Sequence, residues 1–357
     1  RNSQFQHMKF LHATLVGGFS LIALSSLTAC DATFHDDLSD CRHTLWVTMA
    51  NNDCAPVGAQ PSRYVAPKGR VHLLAFDSKG VLAADTSWTQ TEARVIERVP
   101  LHSFNQGAYT ILGWTGIDEQ KWAMQSLKLG KTRLTDVLLQ QNAELNNDNQ
   151  KPPMGNVPLK LIDLSNSQLW VGQNTGYLKL PNPADVGSTS QEVVLNMHEQ
   201  TFHITAEIEV DPTTFDGKND ISAHDFDVRV TSQHPKLRMD GTPASTVEGE
   251  LQDAIVRVNY ARTDKLLTTT FTVPSLTSRN SKVRLELINR TNGKIVEQGT
   301  FDLLALLMLQ QQFDPSCTRN AKLRFVLRDR CLDCGEFSCF SVWANGFKLG
   351  NFKDANR

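Results

Sequence analysis

Between Phe202 and Val210 the chain alternates at every step. Phe202, Ile204, Ala206, Ile208 and Val210 fall on one side, and His203, Thr205, Glu207 and Glu209 on the other. Successive side chains of a β-strand point to opposite faces, so this spacing predicts a strand with one face on a core and one in water; no helix has that period. The same pattern recurs at Phe226, Val228 and Val230, at Val256, Val258 and Tyr260, at Val283, Leu285 and Leu287, and at Leu323, Phe325 and Leu327. Earlier in the chain the spacing predicts strands over 44–49, 70–76, 94–99, 109–114 and 169–171. Turn signals separate them: Asp77-Ser78-Lys79-Gly80, Asn105-Gln106-Gly107 and later Asn292-Gly293, the last a favoured hairpin turn. Short strands with polar faces argue for antiparallel sandwiches rather than a parallel α/β sheet. Only 302–309 and 117–127 read as short helices. The fold class expected is all-β, with two antiparallel β-sandwich domains and one or two short helices.

The N-terminal segment is of another kind. Met8-Lys9 supplies a start and a positive charge, an apolar run follows from Leu11 to about Leu27, and Leu27-Thr28-Ala29-Cys30 closes it. That is the layout of a secretory signal with its cleavage site. A site ending in Leu-small-small-Cys resembles the lipobox of bacterial lipoproteins, where the thiol is acylated and the chain is cut just before it. Cys30 is therefore expected to carry lipid and to begin the mature chain; an ordinary signal peptide with an incidental cysteine is the alternative. The run, broken by Gly17-Gly18, Ser20 and Ser25-Ser26, falls short of the roughly 20 apolar residues that a membrane span needs. Residues 1–7 precede the first Met and read as an extension. Residues 1–29 are thus upstream extension and signal, and 30–41 the lipidated cysteine with an acidic spacer around Asp36-Asp37 and Asp40.

The rest is long enough for two domains. An Asn-rich segment at 142–153 reads as a loop. Pro181-Asn182-Pro183 and Gly187-Ser188-Thr189-Ser190 form a break before the alternating strand. The boundary is placed near residue 198, giving domains over 42–197 and 198–357 whose short joint limits independent motion. Net charge is -2 with no basic stripe, and a nucleic-acid partner would need clustered Lys and Arg against the phosphates.

Seven cysteines occur: Cys30, Cys41, Cys54, Cys317, Cys331, Cys334 and Cys339. With Cys30 taken for lipid, an even set remains in an exported chain, so disulfides are expected. The grouping suggests Cys41 with Cys54 and two bridges among the C-terminal four. Two alternatives stay open: free thiols, and a structural zinc held by Cys317, Cys331, Cys334 and Cys339. Cys331-x-x-Cys334 is a proper knuckle, but the second pair that a complete site shows is missing. No metal and no cofactor is expected.

Catalytic signatures are absent too. His198 and His203 flank Glu199, but zincins need two His four apart on a helix so that both face one metal, and these are five apart, His203 on the polar face of the alternating strand. No Gly-x-Ser-x-Gly elbow or Gly-rich phosphate loop occurs. Asp225-Phe226-Asp227 lacks the spacing of a calcium loop.

Several segments, in order along nearly the whole mature chain, resemble the fimbrillin-associated anchor proteins of Bacteroidia-type (type V) fimbriae. They are Asp36-Asp37-Leu38-Ser39-Asp40-Cys41 as an acidic opening; Arg70 to Gly80, ending in Phe76-Asp77-Ser78-Lys79-Gly80; Gly107-Ala108-Tyr109 with Trp114-Thr115-Gly116; Leu169-Trp170-Val171-Gly172, similar to a family turn; and Val342-Trp343-Ala344-Asn345-Gly346-Phe347, where Phe347 replaces the usual Trp. The resemblance implies two transthyretin-like, Greek-key sandwiches, tethered through Cys30 to the outer membrane and facing outward. It also implies a role at the fimbrium base: holding the shaft, limiting its length, and binding shaft or accessory subunits by strand addition. In physical terms Tyr109 and Trp114 are expected to pack a core, Gly80 and Gly107 to supply positive φ, and Asn345-Gly346 to turn a hairpin.

Two rival classes make different demands. A surface glycan-binding lipoprotein would present exposed aromatics, for which Trp88, Trp122 and Trp170 are the candidates. A secreted β-sandwich enzyme would need convergent carboxylates in a cleft.

Overall fold

A computed structural model of the chain describes residues 38–51, 62–64, 66–93, 96–145, 160–176, 178–211, 225–232, 236–238, 244, 254–274, 276, 282–310, 313–329 and 337–351. The first half contributes β1 (His43–Asn51), β2 (Ser62–Arg63), β3 (Gly69–Phe76), β4 (Leu82–Gln90), β5 (Arg98–Phe104) and β6 (Gly107–Ile117). It continues with β7 (Trp122–Met124), β8 (Leu138–Gln141), β9 (Ala143–Leu145), β10 (Lys160–Ile162), β11 (Trp170–Asn174), β12 (Leu178–Leu180), the single-turn α1 (Pro183–Val186) and β13 (Ser190–Glu199). The second half has β14 (Thr201–Val210), β15 (Phe226–Ser232), β16 (Lys236–Arg238), β17 (Ala254–Val256), β18 (Asn259–Arg262) and β19 (Leu266–Pro274). After them come β20 (Val283–Asn289), β21 (Ile295–Asp302), α2 (Leu303–Met308), β22 (Asn320–Asp329), β23 (Phe337–Ala344) and β24 (Phe347–Asn351).

The fold is nearly all β, as two curled sheets with a small third one. The first runs β2-β1-β13-β11-β6-β3-β4, with β5 on β1 and β12 on β6. Its inner face closes over Leu45, Val47, Val71, Leu73, Trp88, Phe104, Ile111, Leu195 and Met197. The second runs β18-β19-β14-β22-β23-β21-β20-β15-β17-β10-β9, with β24 on β23. In β14 the alternation reads out directly: Phe202, Ile204, Ala206 and Ile208 are buried in the second core. Their outward neighbours Glu207 and Glu209 pair across the parallel ladder with Lys322 at 2.7 Å and Arg324 at 2.5 Å.

β3 and β6 are buried on both faces from Leu73 to Phe76 and from Ile111 to Ile117. Their second face packs against the small sheet β16-β8-β7 in a third core that holds Leu74, Phe76, Trp114, Trp122, Leu139, Ile162, Leu237 and Ala254. This core draws on both halves of the chain. Only Gln200 separates β13 from β14, so the change of sheet falls close to residue 198. Hydrogen bonding nevertheless crosses that point: β16 pairs with β8, and β10 runs parallel to β17. The two sandwiches are stitched together by these ladders as well as by the joint.

Local chemistry accounts for most elements. Asp302 caps α2 by accepting the Ala305 N–H at 2.8 Å, as an N-cap carboxylate does. Asn182 caps α1 ahead of Pro183, and Gly187 ends it, so the Pro-Asn-Pro break is a short helix. Asn345 and Gly346 both have positive φ (46° and 84°) between β23 and β24, the conformation a two-residue hairpin turn needs.

Several expectations fail or shift. The alternation at Val256, Val258 and Tyr260 is split between β17, which ends at Val256, and β18, which begins at Asn259. Segment 117–127 is not a helix: the Asp118 carboxylate accepts the Gln120 N–H at 3.0 Å, its carbonyl accepts Lys121 and Trp122, and the chain turns into β7. The strand expected at 94–99 is β5, displaced to Arg98–Phe104, and residues 94 and 95 lie outside the described residues. The strand expected at 169–171 is β11, so Leu169-Trp170-Val171-Gly172 opens a strand and is not the family turn it resembles. A Cβ on Gly172 would lie 2.5 Å from the Asn196 carbonyl and from Met197 Sδ, so glycine is there to admit the neighbouring strand. Of the Asn-rich stretch 142–153, the first residues enter β9 and the part from 146 onward lies outside the described residues.

Candidate functional site

The two ends of the chain and its open strand edges are where attachment to other structures can occur. Cys30 and the spacer through Asp37 lie outside the described residues. The described chain begins in a tight turn in which Cys41 N–H donates to the Leu38 carbonyl at 3.0 Å and Arg42 Nη1 donates to Ser39 and Cys41 carbonyls at 2.8 and 2.7 Å. Cys41 and His43 are each 1% exposed. His43 Nδ1 accepts the Thr189 N–H at 3.2 Å, with the Thr189 hydroxyl 2.7 Å away. Its Nε2 is therefore the protonated nitrogen, and it donates to the Pro181 carbonyl at 3.0 Å. Thr44 N–H donates to the Thr189 carbonyl at 2.9 Å. The start of β1 is thus bolted to the segment leading into β13. No sequence pattern marked His43.

Among the described residues, β18 pairs only with β19, β24 only with β23, and β4 only with β3. Such strands present backbone groups that a partner strand can pair with. The start of β4 is covered, since Leu82 exchanges backbone hydrogen bonds with Gly130 and Thr132. β24 is more open: Phe347 is 61% exposed. The Asn345 side chain beside it donates to Gln310 just past α2 at 3.1 Å, where Met308 and Leu309 are also exposed.

At the joint, Glu199 accepts from the Thr201 hydroxyl at 2.9 Å and faces His203 Nε2 at 3.0 Å, while His203 Nδ1 lies 3.1 Å from the Thr272 hydroxyl. His198 instead meets Asn196 at 3.2 Å. The two histidines thus serve different neighbours. Tyr64 bonds Thr115 nearby, and burial, helped by the charge of Glu199, holds its phenol well above the usual range. A cleft of 610 Å³ lies alongside, with Lys68, Arg70, Asp118, Glu119 and Gln168 in its wall. Asp118 there is committed to its turn and to Lys121 at 3.7 Å. Asp227, of the acidic pair, is paired with Arg262 and Arg290. Among the described residues no group of three or more His, Cys, Asp or Glu is placed to hold a metal.

Cys54, Cys331 and Cys334 lie outside the described residues. Cys317 is in a disulfide. Cys41 is buried at the start of the first sheet, and Cys339 is a buried thiol on β23. β23 turns the Cys339 side chain into the second core. Burial pushes its thiol up to about 12.

Of the aromatic candidates two are core and Trp170 is half-buried. Trp122 is 1% and Trp88 8% exposed. Trp170 packs on the first core, its ring centroid 5.1 Å from that of Tyr64. Trp114 is fully buried, and Tyr109 stands edge-on to Phe104 at 4.9 Å.

Comparison with known proteins follows the same line. In sequence the chain is 20% identical over 331 residues to the minor fimbrium anchoring subunit Mfa2 of Porphyromonas gingivalis, covering 92% of this chain and 91% of that one. In structure it is similar to the fimbrial anchor protein Mfa2 of P. gingivalis, with a TM-score of 0.68, 18% identity, and coverage of 87% of this chain and 100% of the other. It is also similar to a Bacteroides thetaiotaomicron protein described as a candidate polysaccharide-binding protein, with a TM-score of 0.62, 16% identity, and coverage of 89% and 100%. The sequence pattern of one family spans residues 38–349, and by that match the chain belongs to the fimbrillin-A associated anchor proteins Mfa1 and Mfa2.

Proposed function

We propose that this chain is an outer-membrane lipoprotein that holds the base of a fimbrium at the cell surface and limits how far its shaft extends. The observation that carries the reading is the family match across 38–349 in a chain where Leu27-Thr28-Ala29-Cys30 stands just upstream. Acyl chains on Cys30 form the fixed point; two or more give stable anchoring where one binds only marginally. The partner is a fimbrial shaft or accessory subunit, and the mode of contact is strand addition, with main-chain hydrogen bonds giving affinity and side-chain pockets giving register. No catalytic step and no cofactor is assigned. The glycan-platform alternative loses its support with the burial of Trp88 and Trp122. The test of the tether is Cys30→Ala, followed by fractionation and by labelling with an alkynyl fatty acid. The variant should fold, lose the label and leave the membrane fraction. Retention in that fraction, or undiminished label, would overturn the lipid assignment.

A further inference from the structure

The geometry points to a mechanical device built into the fold: β1 is a clamp, loaded in shear, that passes tension from its N-terminal end into β13 and on to the larger sheet. The inference rests on the reading that the chain is held by its N-terminus. The mechanical property belongs to the fold, however, and is measurable with neither lipid nor fimbrium.

β1 is gripped on both sides. It pairs parallel with β13 from Thr44↔Ser190 to Ala50↔Asn196, and antiparallel with β5 from Leu45↔Leu101 to Thr48↔Arg98. Direction decides how such a ladder yields. Two parallel strands pulled at opposite ends slide past each other, and all their evenly spaced hydrogen bonds share the load. Pulled at the same end they peel, one bond at a time. β13 leaves its C-terminal end through Gln200 directly into β14, which lies between β19 and β22 in the larger sheet. A load entering at Asp40 and leaving through the larger sheet therefore finds β1 and β13 in the sliding arrangement.

Both faces of the ladder resist sliding. On the inner face Leu45 and Val47 of β1 and Val193 and Leu195 of β13 are buried in one core, and a one-residue slip would turn them outward. On the outer face the Arg98 guanidinium lies 4.1 Å from the Trp46 ring centre and pairs with Glu192, so one side chain spans β5, β1 and β13. At the point where load enters, His43 and Thr44 are held by Thr189 and Pro181.

The test is single-molecule force spectroscopy on the full Cys30→Ala chain in two pulling geometries. One handle is fixed at Lys265, exposed in the turn before β19 and beside the C-terminal end of β14, where Glu209 pairs with Leu266. The other is placed at Asp40, before β1, or at Asn51, at its far end. The clamp predicts that the Asp40 geometry shows a high-force event that is lost in the Asn51 geometry, and that His43→Ala lowers the force only from Asp40. Equal forces in the two geometries, or a weaker event from Asp40, would overturn it. Should Cys30→Ala remain in the membrane fraction, the tether reading fails while this comparison of forces stands.

Discussion

Trp122 offers the sharpest test of the packing argument, because a glycan-binding surface and a core make opposite demands on it. Its ring is 1% exposed among Leu74, Leu139, Ile162 and Leu237, and its indole N–H donates to the Ser167 hydroxyl at 3.2 Å. Cutting a buried aromatic back to alanine costs about 3–5 kcal/mol in lost transfer and cavity terms. The severed hydrogen bond adds about 0.5–1.5 kcal/mol. Against a total stability of roughly 5–15 kcal/mol, Trp122→Ala should leave the fold near its margin, whereas Trp122→Phe keeps most of the buried area and loses mainly the hydrogen bond. Urea unfolding of both variants in the Cys30→Ala background, followed by far-ultraviolet circular dichroism, gives the two free energies. Since this core takes Leu139 from the first half and Leu237 from the second, both halves should loosen together. A cost for Trp122→Ala below about 1 kcal/mol, the level of ordinary surface substitutions, would refute the core assignment.

Other consequences are as direct. Gly116 has φ +75°, and a Cβ there would sit 1.8 Å from the Gln168 carbonyl oxygen; Gly116→Ala should fail to accumulate as soluble protein, and wild-type yield and melting would contradict this. Asp302→Ala removes the α2 cap and should cost about 1 kcal/mol in the same urea assay, with Asp302→Asn retaining most of it. Burial raises Cys339 from 9.0 to about 12 and Tyr260 from 10.0 to about 12. Above the unfolded values the native state then holds more protons than the unfolded one, so stability should fall as pH climbs from about 9 toward 12. Cys339→Ala and Tyr260→Phe should each flatten that slope, and an unchanged slope would contradict the assignment. The Cys339 thiol should also resist maleimide at pH 8 until the chain is unfolded.

Strands β14, β15 and β22 of the second sheet were legible because each has one wet face. In β14 the apolar positions meet the core while Glu207 and Glu209 reach Lys322 and Arg324, so the sequence carries the period of the pleat. Around Leu73–Phe76 and Ile111–Ile117 both faces are dry, the period vanishes, and only the apolar run and its flanking turns reveal a strand. The small sheet was not legible at all. β7 and β16 are three residues long, too short for any period, and β16 finds β8 far away in sequence. Local spacing cannot encode such a pairing. For the same reason 117–127 reads as a helix in isolation, although the Asp118 carboxylate turns it. At the N-terminal end a resemblance to a lipobox can be read, whereas His43 cannot, because its partners Pro181 and Thr189 meet it only through the fold.

Deleting the gene and immunoblotting fimbrial shaft subunits in cell pellet and culture medium tests the central claim most directly. An anchor predicts shafts shed into the medium, returned to the cells by the wild-type gene but not by Cys30→Ala; fimbriae that remain on the deleted cells unchanged would contradict it.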